Sequence, residues 1–135
     1  MAFLLAGFVC ASLHAATTNV VDEIVSRSGL NASEVAALLA NCDASQTSMN
    51  FCAWRDRLVA EQDLQRAISS KTDSFSCKAR LEKRVSKWIT QRDRACQIGA
   101  QRDWGNGSER QAAQTVCVTE ATARITGKVK SFRCG

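Results

Sequence analysis

The sequence predicts an all-α protein, a small helical bundle with a long antiparallel helical hairpin that is cross-linked by disulfides. The chain of 135 residues contains no proline, and residues that favour helix, such as alanine, glutamine, arginine and lysine, predominate. Apolar residues recur at helical spacing over several long segments. Six of the seven cysteines lie beyond residue 16, and an even number in a small exported domain indicates disulfides.

The first segment, residues 1–16, is predicted to be a signal peptide. An apolar run over residues 2–9 is followed by small residues that suit cleavage at the end of the segment. No lysine or arginine precedes the run, and the alternative is a buried N-terminal helix. Cys10 lacks the small preceding residue of a lipidation site. We therefore expect a periplasmic or secreted domain over residues 17–135, without lipid and without a transmembrane segment.

Two short helices are predicted to come first in this domain. The first covers about residues 19–27, and Gly29 suits its C-terminal end. Asn31 and Glu34 then form a capping box, which begins a second helix that ends near Ala40.

Three longer helices are predicted over about residues 48–70, 76–98 and 109–129, where apolar side chains recur at helical spacing. Residues 99–108 are predicted to form a loop. Its Asn-Gly pair alone would also suit a β-hairpin turn, but the flanking residues do not alternate between apolar and polar.

The spacing of the cysteines predicts their pairing. If the last two helices form an antiparallel hairpin, Cys96 and Cys117 flank its loop. Cys77 lies 19 residues before Cys96, and Cys134 lies 17 residues after Cys117, so the outer two meet at the other end of the hairpin. The remaining two would clamp the turn between earlier helices, although six cysteines allow 15 pairings. The predicted bridges are Cys42–Cys52, Cys77–Cys134 and Cys96–Cys117.

Charge is distributed unevenly along the chain, whose net charge is +5. Residues 1–77 carry 5 basic and 8 acidic side chains, whereas residues 78–135 carry 13 basic and 5 acidic ones. Lys83, Arg84 and Lys87 belong to a basic cluster on one predicted helix. This cluster is either a solvated face or an anion-binding surface for cell-wall polymer, a lipid headgroup or an acidic protein.

The side chains that catalysis most often uses are scarce. The one histidine, His14, lies in the predicted signal peptide, and the chain has no tyrosine. The usual general base and the Ser-His-Asp arrangement are therefore missing. No phosphate-binding glycine loop and no metal-ligand spacing is found. We expect a binding protein that is not an enzyme and that holds no cofactor and no metal.

Two groups of residues are candidates for contact with a protein partner. The first group lies in the predicted loop, where tryptophan and arginine are residue types that dominate binding energy at interfaces. Alternatively, Trp104 packs back onto the helices. The second group, Asp56 and Glu61, offers an acidic surface in the N-terminal half. The loop candidates are Arg102, Trp104, Asn106 and Ser108.

A series of short motifs runs through the middle of the chain. The first pairs Cys42-Asp43 with Cys52-Ala53, and the second covers Glu61 to Gln65. The most specific is Trp88 to Cys96, with the sequence Trp-Ile-Thr-Gln-Arg-Asp-Arg-Ala-Cys. In order and spacing these motifs resemble the lysozyme-inhibitor LprI-like domain family over roughly residues 41–130. Two cysteines, at positions 77 and 134, look like additions to the usual four of the family.

The resemblance implies an exported helical domain that inhibits lysozyme. Our first hypothesis is steric inhibition of a lysozyme-like or other secreted hydrolase by protein–protein binding. The alternatives are a periplasmic immunity protein that neutralises an antibacterial toxin, and a non-inhibitory module that binds anionic cell-wall or membrane polymer. Nucleic acid is not an expected partner. Because like charges repel, an inhibitor of a basic lysozyme would have to dock through the acidic N-terminal half; the alternative is an acidic hydrolase as target.

Overall fold

The computed structural model describes residues 19–71 and 74–134. Within these residues the chain forms five α-helices and no strand, which confirms the all-α prediction. None of these helices is long and apolar enough to cross a membrane. The predicted signal peptide and Cys10 lie outside the described residues. The helices are α1 (Val20–Ser28), α2 (Ala32–Ala40), α3 (Gln46–Ser69), α4 (Phe75–Trp104) and α5 (Arg110–Ser131).

The short helices α1 and α2 are fixed by the local signals that the sequence contains. The side-chain oxygen of Asn19 accepts a hydrogen bond from the N–H of Val21 at 3.0 Å and so caps α1. Gly29 ends α1 with a φ of 74°, which glycine adopts without strain. The predicted capping box of α2 is present: Asn31 and Glu34 each accept the other's backbone N–H at 2.9 Å.

Helix α4 extends six residues beyond the end predicted at Ile98, so the prediction of a loop from residue 99 was wrong. Gly99 lies inside the helix, where a glycine costs only about 1 kcal/mol. Ala100 offsets that cost because it is buried one turn after Cys96 and continues the buried stripe of α4. The helix ends at Gly105, which has a φ of 55°.

The three long helices form a bundle in which α5 packs against both α3 and α4. Residues 47–57 of α3 lie beside residues 111–115 of α5, and residues 60–70 lie beside 123–130. Helices α3 and α5 therefore run in the same direction, and α4 runs opposite to both. The main core lies between these helices, and its buried side chains are Leu64, Ala67, Ile68, Leu81, Val85, Ile125 and Val129.

Helices α1 and α2 form a second layer on the first half of α3. Ile24 of α1, Val35 of α2 and Leu58 of α3 are buried against one another, with Phe51 and Trp54 of α3 packed around them. The rings of Phe51 and Trp54 meet edge to face, with their centroids 5.8 Å apart.

Three disulfides brace this arrangement, and they join the same pairs that the hairpin geometry predicts. Cys96–Cys117 lies near the connected end of the α4–α5 hairpin and Cys77–Cys134 lies at its open end, each with 5.6 Å between Cα atoms. Cys42–Cys52, with a Cα separation of 5.8 Å, ties the α2–α3 turn to the second turn of α3. The predicted antiparallel hairpin is therefore cross-linked at both ends.

Removal of the Cys77–Cys134 bridge by a Cys77→Ala/Cys134→Ala double substitution should lower the free energy of unfolding by about 4 kcal/mol, because its loop is long. The Cys42→Ala/Cys52→Ala control should lose about 3 kcal/mol, since its cysteines are separated by 10 residues rather than 57. Urea denaturation of the oxidised proteins measures both values. A larger loss for the control would contradict this order.

Candidate partner-binding cleft

A cleft of about 730 Å³ lies between α3 and α4. It exists because these helices touch each other far less than either touches α5. Leu58 and Leu64 of α3 and Ile89 of α4 supply apolar surface to its walls. Polar side chains from three helices also line it: Glu23 of α1, Glu61 of α3 and Arg92 of α4.

Arg92 of α4 lines this cleft although its side chain is only 7% exposed. Its Nη1 donates a hydrogen bond to Oγ1 of Thr122, on α5, at 2.9 Å, and its Nε donates to Oδ1 of Asp93 at 2.8 Å. The Thr122 hydroxyl in turn donates to the carbonyl oxygen of Val118 at 2.7 Å. A buried guanidinium needs such partners, and this chain of bonds connects α4 to α5 beside the cleft.

Two carboxylates, Glu23 and Glu61, line the same cleft. Each forms an ion pair with an arginine four residues away on its own helix: Glu23 with Arg27, and Glu61 with Arg57 at 2.9 Å. The Glu61 side chain is 37% exposed. Ion pairs of this kind contribute little to stability in water, so either carboxylate can exchange its arginine for a cation of a partner at small cost.

The structure separates the two acidic candidates. Glu61 lines the cleft, whereas Asp56 is exposed and accepts a hydrogen bond from the neighbouring Arg55 at 3.0 Å. Among the described residues, Asp56 is not part of the cleft lining.

The four candidates predicted for the loop lie at the connected end of the α4–α5 hairpin. Arg102 and Trp104 belong to the last turn of α4, and only Asn106 and Ser108 lie in the connecting turn. Trp104 is 48% exposed, so it does not pack back fully onto the helices. Arg102 donates to Asp103 at 2.7 Å, and this hydrogen bond lowers the pKa of the Asp103 carboxyl.

The basic candidates Lys83, Arg84 and Lys87 line a separate groove, between α4 and the C-terminal segment. This groove lies on another face of α4 from the one that carries Ile89 and Arg92. Apart from Asp56, which lies exposed on α3, the predicted residues occupy three places: the cleft, the hairpin end and the basic groove. Among residues 19–71 and 74–134, no group of three histidine, cysteine, aspartate or glutamate side chains could hold a metal ion.

Two residues of the cleft were missed by the sequence analysis as site residues. Arg92 had a usable signal, because it falls on the buried stripe of α4 between Val85 and Cys96, where an apolar residue is expected. It also lies within the most specific of the quoted motifs. Glu23 had no such signal, since its position at the cleft depends on how α1 packs against α3.

The chain matches a known protein family over most of its length. A family model described as "Lysozyme inhibitor LprI" matches residues 40–128. The chain belongs to the LprI family. The match takes in all of α3 and α4 and most of α5, so both walls of the cleft lie within the LprI domain, while α1 lies outside it. No curated protein and no solved structure matches the chain.

Two of the motifs that resemble those of LprI proteins lie on facing helices in the structure. Glu61 to Gln65 lies on α3, and Ile89 and Arg92 belong to the Trp88–Cys96 motif on α4. Residues from both motifs line the same cleft. The LprI family is one of inhibitors rather than enzymes, which agrees with a binding role for this domain.

A Thr122→Val substitution should lower the free energy of unfolding by about 2 kcal/mol, because it leaves an N–H of the buried Arg92 without its acceptor. The control, Thr119→Val, removes a hydroxyl that bonds only to a carbonyl of its own helix and should cost about 0.5 kcal/mol or less. Chemical denaturation measures both. Equal losses would show that the Arg92–Thr122 bond does not stabilise the fold.

Proposed function

We propose that this protein inhibits a lysozyme-like hydrolase by binding to it and covering its active-site cleft. The observation that carries the proposal is the match of the LprI family model over residues 40–128, which covers the three-helix bundle. Because lysozymes act outside the cytoplasm, we also propose that the chain is exported. Its three disulfides support this, since disulfides persist in oxidising compartments.

The bundle suits steric inhibition because the surface of its α4–α5 hairpin is held in place before binding. Two disulfides fix α4 against α5, and a third fixes the α2–α3 turn. A preorganised surface loses less conformational entropy when it binds, so more of the contact energy becomes affinity.

We infer that the cleft between α3 and α4 is the surface that engages the hydrolase. Its apolar walls can take the aliphatic stem of a lysine or arginine, and Glu23 and Glu61 can pair with the charged head. The two arginines of the lining, Arg66 and Arg92, are each paired with an aspartate, Asp63 and Asp93. Glu61 and Ile89 come from the two family motifs, whereas Glu23 lies outside the matched residues. A basic partner would present such cationic side chains.

The layer that α1 and α2 form on the first half of α3 is acidic, which also favours docking of a basic enzyme on this side of the molecule. Residues 19–54, which form α1, α2 and the start of α3, contain four acidic side chains and one basic one, Arg27. Residues 74–134 carry 13 basic and 5 acidic side chains. A basic lysozyme is therefore attracted to the layer formed by α1 and α2 and repelled by the α4–α5 side.

The decisive assay titrates the oxidised protein into lysozyme digesting bacterial cell walls, with a basic animal-type and an acidic bacterial muramidase in parallel. Stoichiometric loss of muramidase activity is the expected result, and it should be stronger for the basic enzyme. Absence of inhibition of both enzymes at micromolar excess would overturn the proposal. Neutralisation of a periplasmic toxin would then be the function to examine.

A Glu61→Arg substitution should weaken inhibition at least about tenfold, because it places a like charge against the incoming cation. Asp43→Arg is the matched control: it makes the same change of charge at an exposed position that does not line the cleft. The control should retain inhibition to within about threefold, since only long-range attraction changes. The inhibition constants of the two variants give the comparison.

A Trp104→Ala variant distinguishes the cleft from the hairpin end. Trp104 lies 12 residues beyond Arg92 on α4, which is about 18 Å along the helix. If the cleft is the binding surface, Trp104→Ala inhibits as the unmodified protein does. A larger loss for Trp104→Ala than for Glu61→Arg would place the interface at the hairpin end instead.

A further inference from the structure

A basic groove of about 960 Å³ lies between the first half of α4 and the segment that follows α5. Its lining includes five cationic side chains and, among the described residues, no carboxylate. All five are exposed. They are Arg80, Lys83, Arg84, Lys87 and Arg133.

The charges of this groove are not neutralised within the described part of the chain. None of the five cations has an Asp or Glu oxygen within 4.0 Å there, and the nearby pair of Lys78 with Glu82 involves none of them. On α3, in contrast, Arg55, Arg57 and Arg66 each pair with a carboxylate. Cations three and four residues apart on a helix repel each other, so a bound anion would relieve a cost that is present in the free protein.

The groove has a second wall because the C-terminal segment is held in place. The Cys77–Cys134 disulfide ties this segment to the first turn of α4. The Nζ of Lys71 donates a hydrogen bond to the carbonyl oxygen of Phe132 at 3.3 Å. Arg133 is thereby placed opposite the cations of α4, which the α4 sequence alone does not reveal.

We propose that this groove binds a linear phosphodiester polymer of the cell envelope. The cations of α4 repeat about once per helical turn between residues 80 and 87, over about 10 Å, and can follow a chain with regularly spaced anions. Three of the five are arginines, whose guanidinium groups bind phosphate oxygens in a bidentate manner. A concave groove fits an extended chain better than the flat surface of a membrane.

The aromatic residues of the groove argue against a nucleic acid. Single-stranded nucleic acids are held by bases stacked on free aromatic rings. Here Trp88 and Phe132 are half-buried against the core, and the Nζ of Lys128 lies 5.1 Å from the centroid of the Trp88 ring. Neither ring is free on both faces, so the groove offers phosphate contacts without base stacking.

This site is independent of the proposed inhibition of lysozyme. The cleft uses Ile89 and Arg92 of α4, whereas the groove uses Lys83, Arg84 and Lys87. Occupation of the groove would hold the protein at the envelope while the cleft stays open to a hydrolase.

The test measures binding of fluorescent poly(glycerol phosphate) to the full oxidised protein by anisotropy. With four phosphate contacts, affinity should fall about 50-fold between roughly 50 and 200 mM salt. Arg80→Glu/Arg84→Glu should lose at least about tenfold in affinity, since each contact contributes to binding. The matched control, Arg94→Glu/Arg124→Glu, makes the same change of charge at exposed positions outside the groove and should lose less than about threefold.

A second variant tests the wall built by the disulfide. Cys77→Ala/Cys134→Ala frees the C-terminal segment and should lower affinity for the polymer, while circular dichroism shows that the helices persist. Lysozyme inhibition by Arg80→Glu/Arg84→Glu should not weaken, because the change only reduces the repulsion of a basic enzyme by the α4–α5 side. This separates failure of this proposal from failure of the proposed function.

Four outcomes would overturn the proposal. The first is no binding of poly(glycerol phosphate) at the lower salt concentration, and the second is an equal loss in the Arg94→Glu/Arg124→Glu control. The third is tighter binding to phosphatidylglycerol vesicles, which would identify a membrane site. The fourth is tighter binding to single-stranded DNA, which would identify a nucleic-acid site.

Discussion

The packing of α5 against two helices at once is the constraint on which the rest of the structure depends. Its buried side chains Ile125 and Val129 belong to a core that α3 and α4 share. Because α5 stands between them, α3 and α4 barely meet, and the space left between them is the cleft. The candidate site is thus a consequence of how the bundle closes rather than of an inserted loop.

The same helix explains why an arginine can be buried beside the cleft. Thr122 of α5 is fully buried, and its hydroxyl both accepts from Arg92 and donates to a backbone carbonyl. Each polar group therefore has a partner, and the charge of Arg92 is balanced by Asp93 at the surface. An apolar residue at position 122 would leave the guanidinium with no acceptor from α5.

Local features of the fold could be predicted from the sequence because local chemistry fixes them. Asn31 and Glu34 cap α2 as expected, and Gly29 ends α1. The spacing of Cys77, Cys96 and their partners gave the ends of the hairpin, because helix rise converts sequence distance into length. The end of α4 was misplaced, since burial of Ala100 outweighs the low helix propensity of the preceding glycine.

The candidate site was less predictable, because it depends on contacts between distant segments. Glu61 was named from its charge, but its place beside Glu23 depends on the packing of α1. The hydrophobic pattern of a single helix does not indicate that α3 and α5 run parallel. It therefore does not indicate the gap between α3 and α4 either. Similarly, nothing in the α4 sequence indicates that Arg133 completes the basic groove.

The placement of the disulfides divides the molecule into two mechanical parts. Cys77–Cys134 and Cys96–Cys117 join α4 and α5 near both ends, so these helices cannot slide or separate. The third bridge is internal to the α2–α3 region, and none of the three joins α3 to the hairpin. Of the two walls of the cleft, one is covalently braced and the other is held only by side-chain packing. A change in the width of the cleft therefore requires α3 to tilt on α5. Helices α1 and α2, which pack on α3, would move together with it.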